Sequence, residues 1–97
     1  MPKGYWVTIY RSISDPSKLA AYAELAPKAT TPFGCKYLAR GTAAAAYEAG
    51  LKDRIVISEF PSVEQAKAAY NSPAYQAALK ALGDGAVRDL RIVEGLE

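Results

Sequence analysis

Four stretches of the chain have the apolar and β-branched composition of β-strands. The first, Tyr5–Tyr10, carries apolar side chains on both faces, and the third, Arg54–Phe60, has the same character. Strands that are apolar on both faces are typical of the middle of a sheet, where both faces are covered. The second and fourth stretches, Cys35–Arg40 and Leu90–Val93, are weaker. The pattern therefore predicts four strands, with the first and third in central positions.

A helix is predicted between the first two strands. Asp15 can accept hydrogen bonds from the free N–H groups of a first helical turn, and Pro16 suits the first helical position. An apolar stripe follows at spacings of three and four residues. Pro27 falls inside this stripe and removes one helical hydrogen bond. We therefore expect Pro27 to kink the helix or end it early.

The second helical stretch is predicted to consist of two segments. Ser62 and Gln65 have the spacing of a capping box, which marks the first segment's start. Ser72-Pro73 then interrupts the helix, because Ser72 can cap a new segment and Pro73 can begin it. Gly83 marks the end of this second segment.

The stretch Thr42–Tyr47 gives conflicting signals. Its four alanines favour a helix, but Gly41 and Gly50 bracket it too closely for a stable one. We predict an irregular or bulged extension of the second strand, with the bulge at Gly41.

The resulting order β, α, β, β, α, β predicts a fold class. Right-handed crossovers place both helices on one face of a four-stranded antiparallel sheet, which is the ferredoxin-like α+β fold. The 97 residues are expected to form one domain. Two helices cover only one sheet face, so we expect the other to pack against a second copy in a symmetric homodimer. Trp6 and Tyr10, on one face of the first strand, are predicted to lie in that interface, and the opposite face of the strand is the alternative.

Composition narrows the possible functions. The net charge is +2, and the basic residues are scattered, which argues against nucleic acid or an anionic membrane as the partner. The chain has no histidine and one cysteine, Cys35. A metal site and a cofactor are therefore not expected, and haem chemistry is disfavoured. With no signal-peptide or membrane-span pattern, a cytoplasmic location is expected.

Several short motifs resemble those of the domain-of-unknown-function 1330 family. They are Gly4-Tyr5-Trp6, Arg40-Gly41, Glu59-Phe60-Pro61-Ser62, Tyr70-Asn71-Ser72-Pro73-Ala74-Tyr75 and Ile92-Val93-Glu94-Gly95. The resemblance spans nearly the whole chain. It implies the dimeric α/β-barrel superfamily, and hence the same subunit fold and dimer, but it assigns no activity.

Four residues are candidates for a ligand site in a cleft between helices and sheet. Arg40 would offer a planar fork to a carboxylate or carbonyl, although a surface ion pair with Glu59 is the alternative. Tyr22, Tyr70 and Tyr75 would offer hydroxyl donors, although tyrosines at helical spacing are usually part of the core wall. Two helix interruptions make a cleft plausible.

Two functions remain open. The chain binds or transforms a small organic molecule without metal or cofactor, or it is a non-catalytic homodimeric binding or regulatory module. RNA-recognition domains share the β–α order, but Arg54–Phe60 lacks their basic, aromatic consensus.

Overall fold

The computed structural model describes residues 2–96. Within them, the chain forms four strands and three α-helices. They are β1 (Gly4–Ile13), α1 (Pro16–Thr30), β2 (Lys36–Thr42), β3 (Arg54–Phe60), α2 (Val63–Asn71), α3 (Pro73–Leu82) and β4 (Ala86–Glu94). A short 3₁₀ turn, Thr31–Phe33, follows α1. None of the helices in the described range has the length and apolarity needed to cross a membrane.

The strands form one antiparallel sheet in the order β2-β3-β1-β4. The two strands that are apolar on both faces, β1 and β3, are thus the central ones, as predicted. The helices pack on one face, and the ferredoxin-like fold is confirmed. In the register of β1, Trp6 lies between Ser58 of β3 and Ile92 of β4.

The core lies between the sheet and the helices and is built around Trp6. The Trp6 ring lies 5.0 Å from the ring of Phe60 and 5.0 Å from that of Tyr75, measured between centroids. Its indole Nε1 donates a 3.0 Å hydrogen bond to the carbonyl of Ala66 in α2. Buried alanines of the helices, including Ala69 and Ala78, leave room for these rings.

The structure corrects the prediction for Trp6 and Tyr10. Both side chains lie under the helices, only 4% and 2% exposed in the single chain, so they are core residues rather than a surface for a second subunit. The opposite phase of β1, which includes Val7 and Ile9, faces away from the helices. Because both phases are apolar, the sequence pattern of β1 does not tell which one the helices cover.

The predicted helix starts are confirmed, but Pro27 does not end α1. Asp15, Ser62 and Ser72 each cap a helix through a side-chain oxygen, and α3 ends at Gly83. The helix α1 continues through Pro27 to Thr30. Proline costs this helix one hydrogen bond, whereas the turns around it bury residues against the core, so packing outweighs that local loss.

The segment after β2 is irregular, as expected, but the predicted bulge at Gly41 is not found there. Gly41 pairs regularly with Ile55, and the register shift falls between Tyr37 and Ala39. Residues 43–53 form a loop without helix or strand. Four consecutive alanines therefore do not form a helix here, in agreement with the short distance between the flanking glycines.

The position of Trp6 predicts a large loss of stability when its side chain is removed. We expect Trp6→Ala to lower the free energy of unfolding by about 3–5 kcal/mol, because it empties the centre of the core. Urea denaturation followed by circular dichroism measures this. Leu25→Ala, at an exposed position of α1, is the control and should change stability by less than about 1 kcal/mol. A Trp6→Ala chain with unchanged subunit stability would contradict the core assignment.

Candidate functional site

A small cleft opens between α1 and the sheet at the end where β1, β2 and β3 meet. Its volume is about 40 Å³, which is room for roughly three water molecules. The walls are partly apolar, from α1 and Val56. Five polar or aromatic side chains also line it: Tyr10, Tyr22, Tyr37, Arg40 and Arg54.

Strand register explains how two arginines come close to Tyr10. Arg88 of β4 is the direct cross-strand partner of Tyr10, and Arg54 begins β3 beside the neighbouring pair Ile9 and Ile55. The Arg54 and Arg88 guanidinium carbons lie 5.9 and 5.6 Å from the centre of the Tyr10 ring. Tyr10 is therefore within cation–π distance of a guanidinium from each adjoining strand.

A hydrogen-bonded cluster of Tyr22, Tyr75 and Arg88 lies next to the cleft. The two hydroxyl oxygens are 2.6 Å apart. Arg88 donates to the Tyr22 oxygen at 3.0 Å and to the Tyr75 oxygen at 3.3 Å. Its guanidinium carbon also lies 4.8 Å from the centre of the Tyr22 ring. The cluster joins α1, α3 and β4.

Burial raises the pKa of both hydroxyls in this cluster. Desolvation of the phenolate is the main cause for Tyr22 and for Tyr75, and it outweighs the opposing effect of the nearby Arg88 cation. Both phenols therefore stay protonated at neutral pH. As neutral phenols they can donate hydrogen bonds and are not suited to act as bases, and of the two it is Tyr22 that lines the cleft.

Arg40 lies at the mouth of the cleft, where its guanidinium carbon is 4.6 Å above the centre of the Tyr37 ring. The ion pair with Glu59 is not formed. Instead, the Glu59 carboxylate lies 3.5 Å from Lys3 and accepts a 3.1 Å hydrogen bond from Tyr5. Burial raises the pKa of Tyr37, so this phenol also remains protonated at neutral pH.

Of the four predicted ligand residues, three lie in or next to the cleft and one does not. Arg40 and Tyr22 line the same cleft, and Tyr75 is fully buried but hydrogen-bonded to Tyr22. Tyr70 lies apart, in a groove that includes Leu90 and Ile92 of β4. It packs against Trp6 and Tyr75 as part of the core wall.

Arg54 and Arg88 are not among the candidate site residues predicted from the sequence, because that prediction considered each strand and helix separately. Each occupies the helix-facing phase of its strand, ahead of Val56 and Leu90 respectively. A charged residue in the helix-facing phase of a strand is a usable sequence signal, because burying a cation is costly unless it meets a partner or a ligand. That signal appears only when strands are aligned in register.

The described chain offers little for a metal. Among residues 2–96, no group of three or more cysteine, aspartate and glutamate side chains is placed to hold an ion. Burial raises the pKa of the Cys35 thiol, which disfavours the thiolate. Guanidinium groups and protonated phenols are instead the donors found around anions.

The raised tyrosine pKa values predict a loss of stability at alkaline pH. The folded chain holds these protons more tightly than the unfolded chain, so their contribution is complete below about pH 10 and is lost as pH rises further. We expect the decline above about pH 10 to be shallower in a Tyr22→Phe/Tyr75→Phe variant, by up to about 1.4 kcal/mol per pH unit for each phenol. Urea denaturation at a series of pH values measures it.

The control for this titration is Tyr47→Phe, which removes a phenol that is 80% exposed. It should leave the alkaline decline as it is in the parent chain. Equal slopes for the parent and the double variant would show that the two buried phenols do not hold their protons more tightly in the folded state.

Three solved structures are similar to the chain along nearly its whole length. A protein of unknown function from Rhodopseudomonas palustris is 19% identical, with a TM-score of 0.76 over 99% of this chain and 84% of that one. SnoaB, a cofactor-independent oxygenase from Streptomyces nogalater, is 9% identical, with a TM-score of 0.69 over 100% and 96%. A dimeric ferredoxin-like protein of unknown function from Thermobifida fusca is 17% identical, with a TM-score of 0.64 over 96% and 91%.

At these identities the structural similarity establishes the fold alone. None of the curated protein sequences matches the chain. The model of one family, the domain of unknown function DUF1330, matches residues 3–96. This match agrees with the motifs around Phe60-Pro61-Ser62 and Ser72-Pro73, and the chain belongs to the DUF1330 family.

Proposed function

We propose that the chain binds a small organic molecule in the cleft between α1 and the sheet. The observation that carries this proposal is the lining of the cleft, where Tyr22, Arg40 and Arg54 face one space with an apolar wall. Ligand sites combine apolar walls with a few convergent polar groups in this way. No metal or cofactor is needed for such binding.

The chemistry of the lining favours binding over proton abstraction. The cleft is lined by no carboxylate within the described residues, and the chain contains no histidine. Its phenols Tyr22 and Tyr37 have raised pKa values. These groups donate hydrogen bonds and positive charge, and a reaction that needs a general base would require one from the ligand itself.

The similarity to SnoaB agrees with a small-molecule role without assigning an activity. SnoaB is described as a cofactor-independent oxygenase, so this subunit fold can hold a small molecule without a bound cofactor. The low identity transfers no residue role to the present chain. The proposal therefore depends on the cleft and not on the relative.

A thermal-shift screen of small aromatic and carboxylic compounds tests the proposal. A ligand present at about ten times its Kd should add about 1.4 kcal/mol of stability, which raises Tm by roughly 6–10 °C for a chain of this size. Arg40→Ala should abolish the shift because Arg40 lies at the mouth of the cleft. Lys28→Ala, in the last turn of α1, is the matched control and should keep the shift. Full binding by Arg40→Ala would remove this residue from the site.

We also propose that the chain is a homodimer closed through the sheet face that the helices leave open. That face carries exposed apolar side chains, with Ile9 36% and Val93 53% exposed. The relative from Thermobifida fusca is described as dimeric. A contiguous apolar surface on a small domain is commonly covered by a partner.

The dimer is tested by its response to a charge in the centre of the open face. Ile57 pairs with Val7 there, so Ile57→Asp should convert a dimer into a monomer in size-exclusion chromatography with light scattering. Leu25→Asp, on the exposed side of α1, should remain dimeric. A parent chain that is monomeric at micromolar concentration would refute the dimer while leaving the subunit fold intact.

A further inference from the structure

The positive charge around the cleft is not neutralised by the protein. Arg40, Arg54 and Arg88 come from three different strands, and none of them forms an ion pair within residues 2–96. The ion pairs of that range use other cations, at Lys3, Arg11, Lys18 and Arg91. Three guanidinium groups thus surround Tyr10 and Tyr37 without a carboxylate to balance them.

Arg54 has an unsatisfied donor. Its Nε is buried and has no hydrogen-bond acceptor among the described residues. A buried donor without a partner is costly, and more so when it carries charge. Arg54 lines the cleft, so an oxyanion there would supply the counter-charge that its guanidinium lacks.

The tyrosine cluster leaves a second donor. Two phenols carry two protons, and only one is used in the bond between Tyr22 and Tyr75. Tyr75 is fully buried whereas Tyr22 lines the cleft, so the arrangement that satisfies both has Tyr75 donating to Tyr22. In that arrangement Tyr22 accepts from Tyr75 and Arg88, and its own proton is the one left for a ligand in the cleft.

The size of the cleft suits a charged head group better than a whole ligand. About 40 Å³ accommodates roughly three water molecules, and a carboxylate has three heavy atoms. The space grows to about 320 Å³ when the part open to solvent is included. A carboxylate can therefore enter between the arginines while the organic body of the ligand extends to the mouth, beside the Tyr37 ring.

We propose that the ligand of this cleft is an organic oxyanion, such as a carboxylate, whose charged group is held by Arg54 and Arg40 and by the hydroxyl of Tyr22. This inference rests on the proposed function and adds the ligand's chemical class. Arg88 is a positioning residue, because it holds the two phenols rather than the ligand. Because no carboxylate among residues 2–96 pairs with these arginines, a bound anion would supply the negative charge.

Matched pairs of charged and uncharged probes test the chemical class. Benzoate and benzamide, phenylacetate and phenylacetamide, and salicylate and salicylamide differ mainly in the group that would enter the cleft. We expect the acids to shift the amide resonances of residues around Tyr22 and Arg54 in ¹⁵N-labelled protein, with binding at least about tenfold tighter than that of the amides. Binding of the acids should weaken as salt is raised.

Two variants assign the contact. Arg54→Gln should weaken binding of the acids about tenfold or more, and Arg54→Lys should keep part of it because the charge remains. Lys80→Gln, on the exposed side of α3, removes the same charge away from the cleft and is the control. If Arg54→Gln does not fold, Arg40→Gln, at an exposed position, tests in its place whether a cleft arginine contributes to binding of the acids. Unchanged binding in a folded Arg54→Gln or Arg40→Gln chain would overturn the role of that arginine.

The outcomes separate this inference from the proposed function. Equal binding of acids and amides at the cleft would overturn the oxyanion inference and leave a small-molecule site. An absence of shifts at the cleft for both members of every pair would refute the site itself. If the acids bind preferentially but Lys80→Gln weakens their binding as much as Arg54→Gln does, the preference reflects general electrostatic attraction. That result would also overturn the proposed contact.

Discussion

The hydrogen bonds among Tyr22, Tyr75 and Arg88 determine where α1 lies relative to the sheet. They join one helix, the neighbouring helix and an edge strand through three side chains that are removed from much of the solvent. Such a cluster is stabilising only when its members are all satisfied, because each buried polar group left unpaired carries a desolvation cost. Tyr22 also lines the cleft, so the cluster fixes the position of one side chain in the cleft wall.

The choice of phenols as partners for Arg88 has an electrostatic consequence. A carboxylate at position 22 or 75 would hold the guanidinium equally well, but it would cancel its charge. Neutral hydroxyls accept from two nitrogens of Arg88 and leave its positive charge in place, beside the Tyr10 ring that Arg54 also approaches. Burial raises the pKa of both phenols, which keeps them neutral across the physiological range. The same desolvation that makes the cluster costly thus preserves the positive potential of the cleft.

Local sequence signals predicted the elements well, and the cleft poorly. Helix caps at Asp15, Ser62 and Ser72 depend on one side chain and a few neighbouring N–H groups, so they can be recognised from the sequence. The strand order followed from the two apolar faces of β1 and β3. The covered face of β1 did not follow, because both phases are apolar and the difference arises only when the helices are placed.

The site residues were also only partly predictable from the sequence, because their positions depend on how the strands and helices pack together. Arg40 and Tyr22 were identified singly, but the cleft depends on Arg54 and Arg88, whose inward positions come from the alignment of three strands. Tyr70 and Tyr75 look equivalent in sequence, five residues apart across a helix break. The break separates them, since Tyr70 belongs to α2 and Tyr75 to α3. A pattern of spacing within one helix could not distinguish the two.

Ser72 is the residue that makes this separation. Its hydroxyl donates to the carbonyl of Ala69 at 2.8 Å and accepts from the backbone N–H of Tyr75 at 3.2 Å, so one side chain serves the end of α2 and the start of α3. The backbone of Tyr75 is thereby held at the first turn of a new helix, with a direction that α2 does not impose. From that position the phenol reaches Tyr22, while Tyr70 stays against Trp6. An unbroken helix would keep both tyrosines on one axis, so the break allows Tyr75 to pack against Trp6 and also reach Tyr22, whereas Tyr70 supports the core alone.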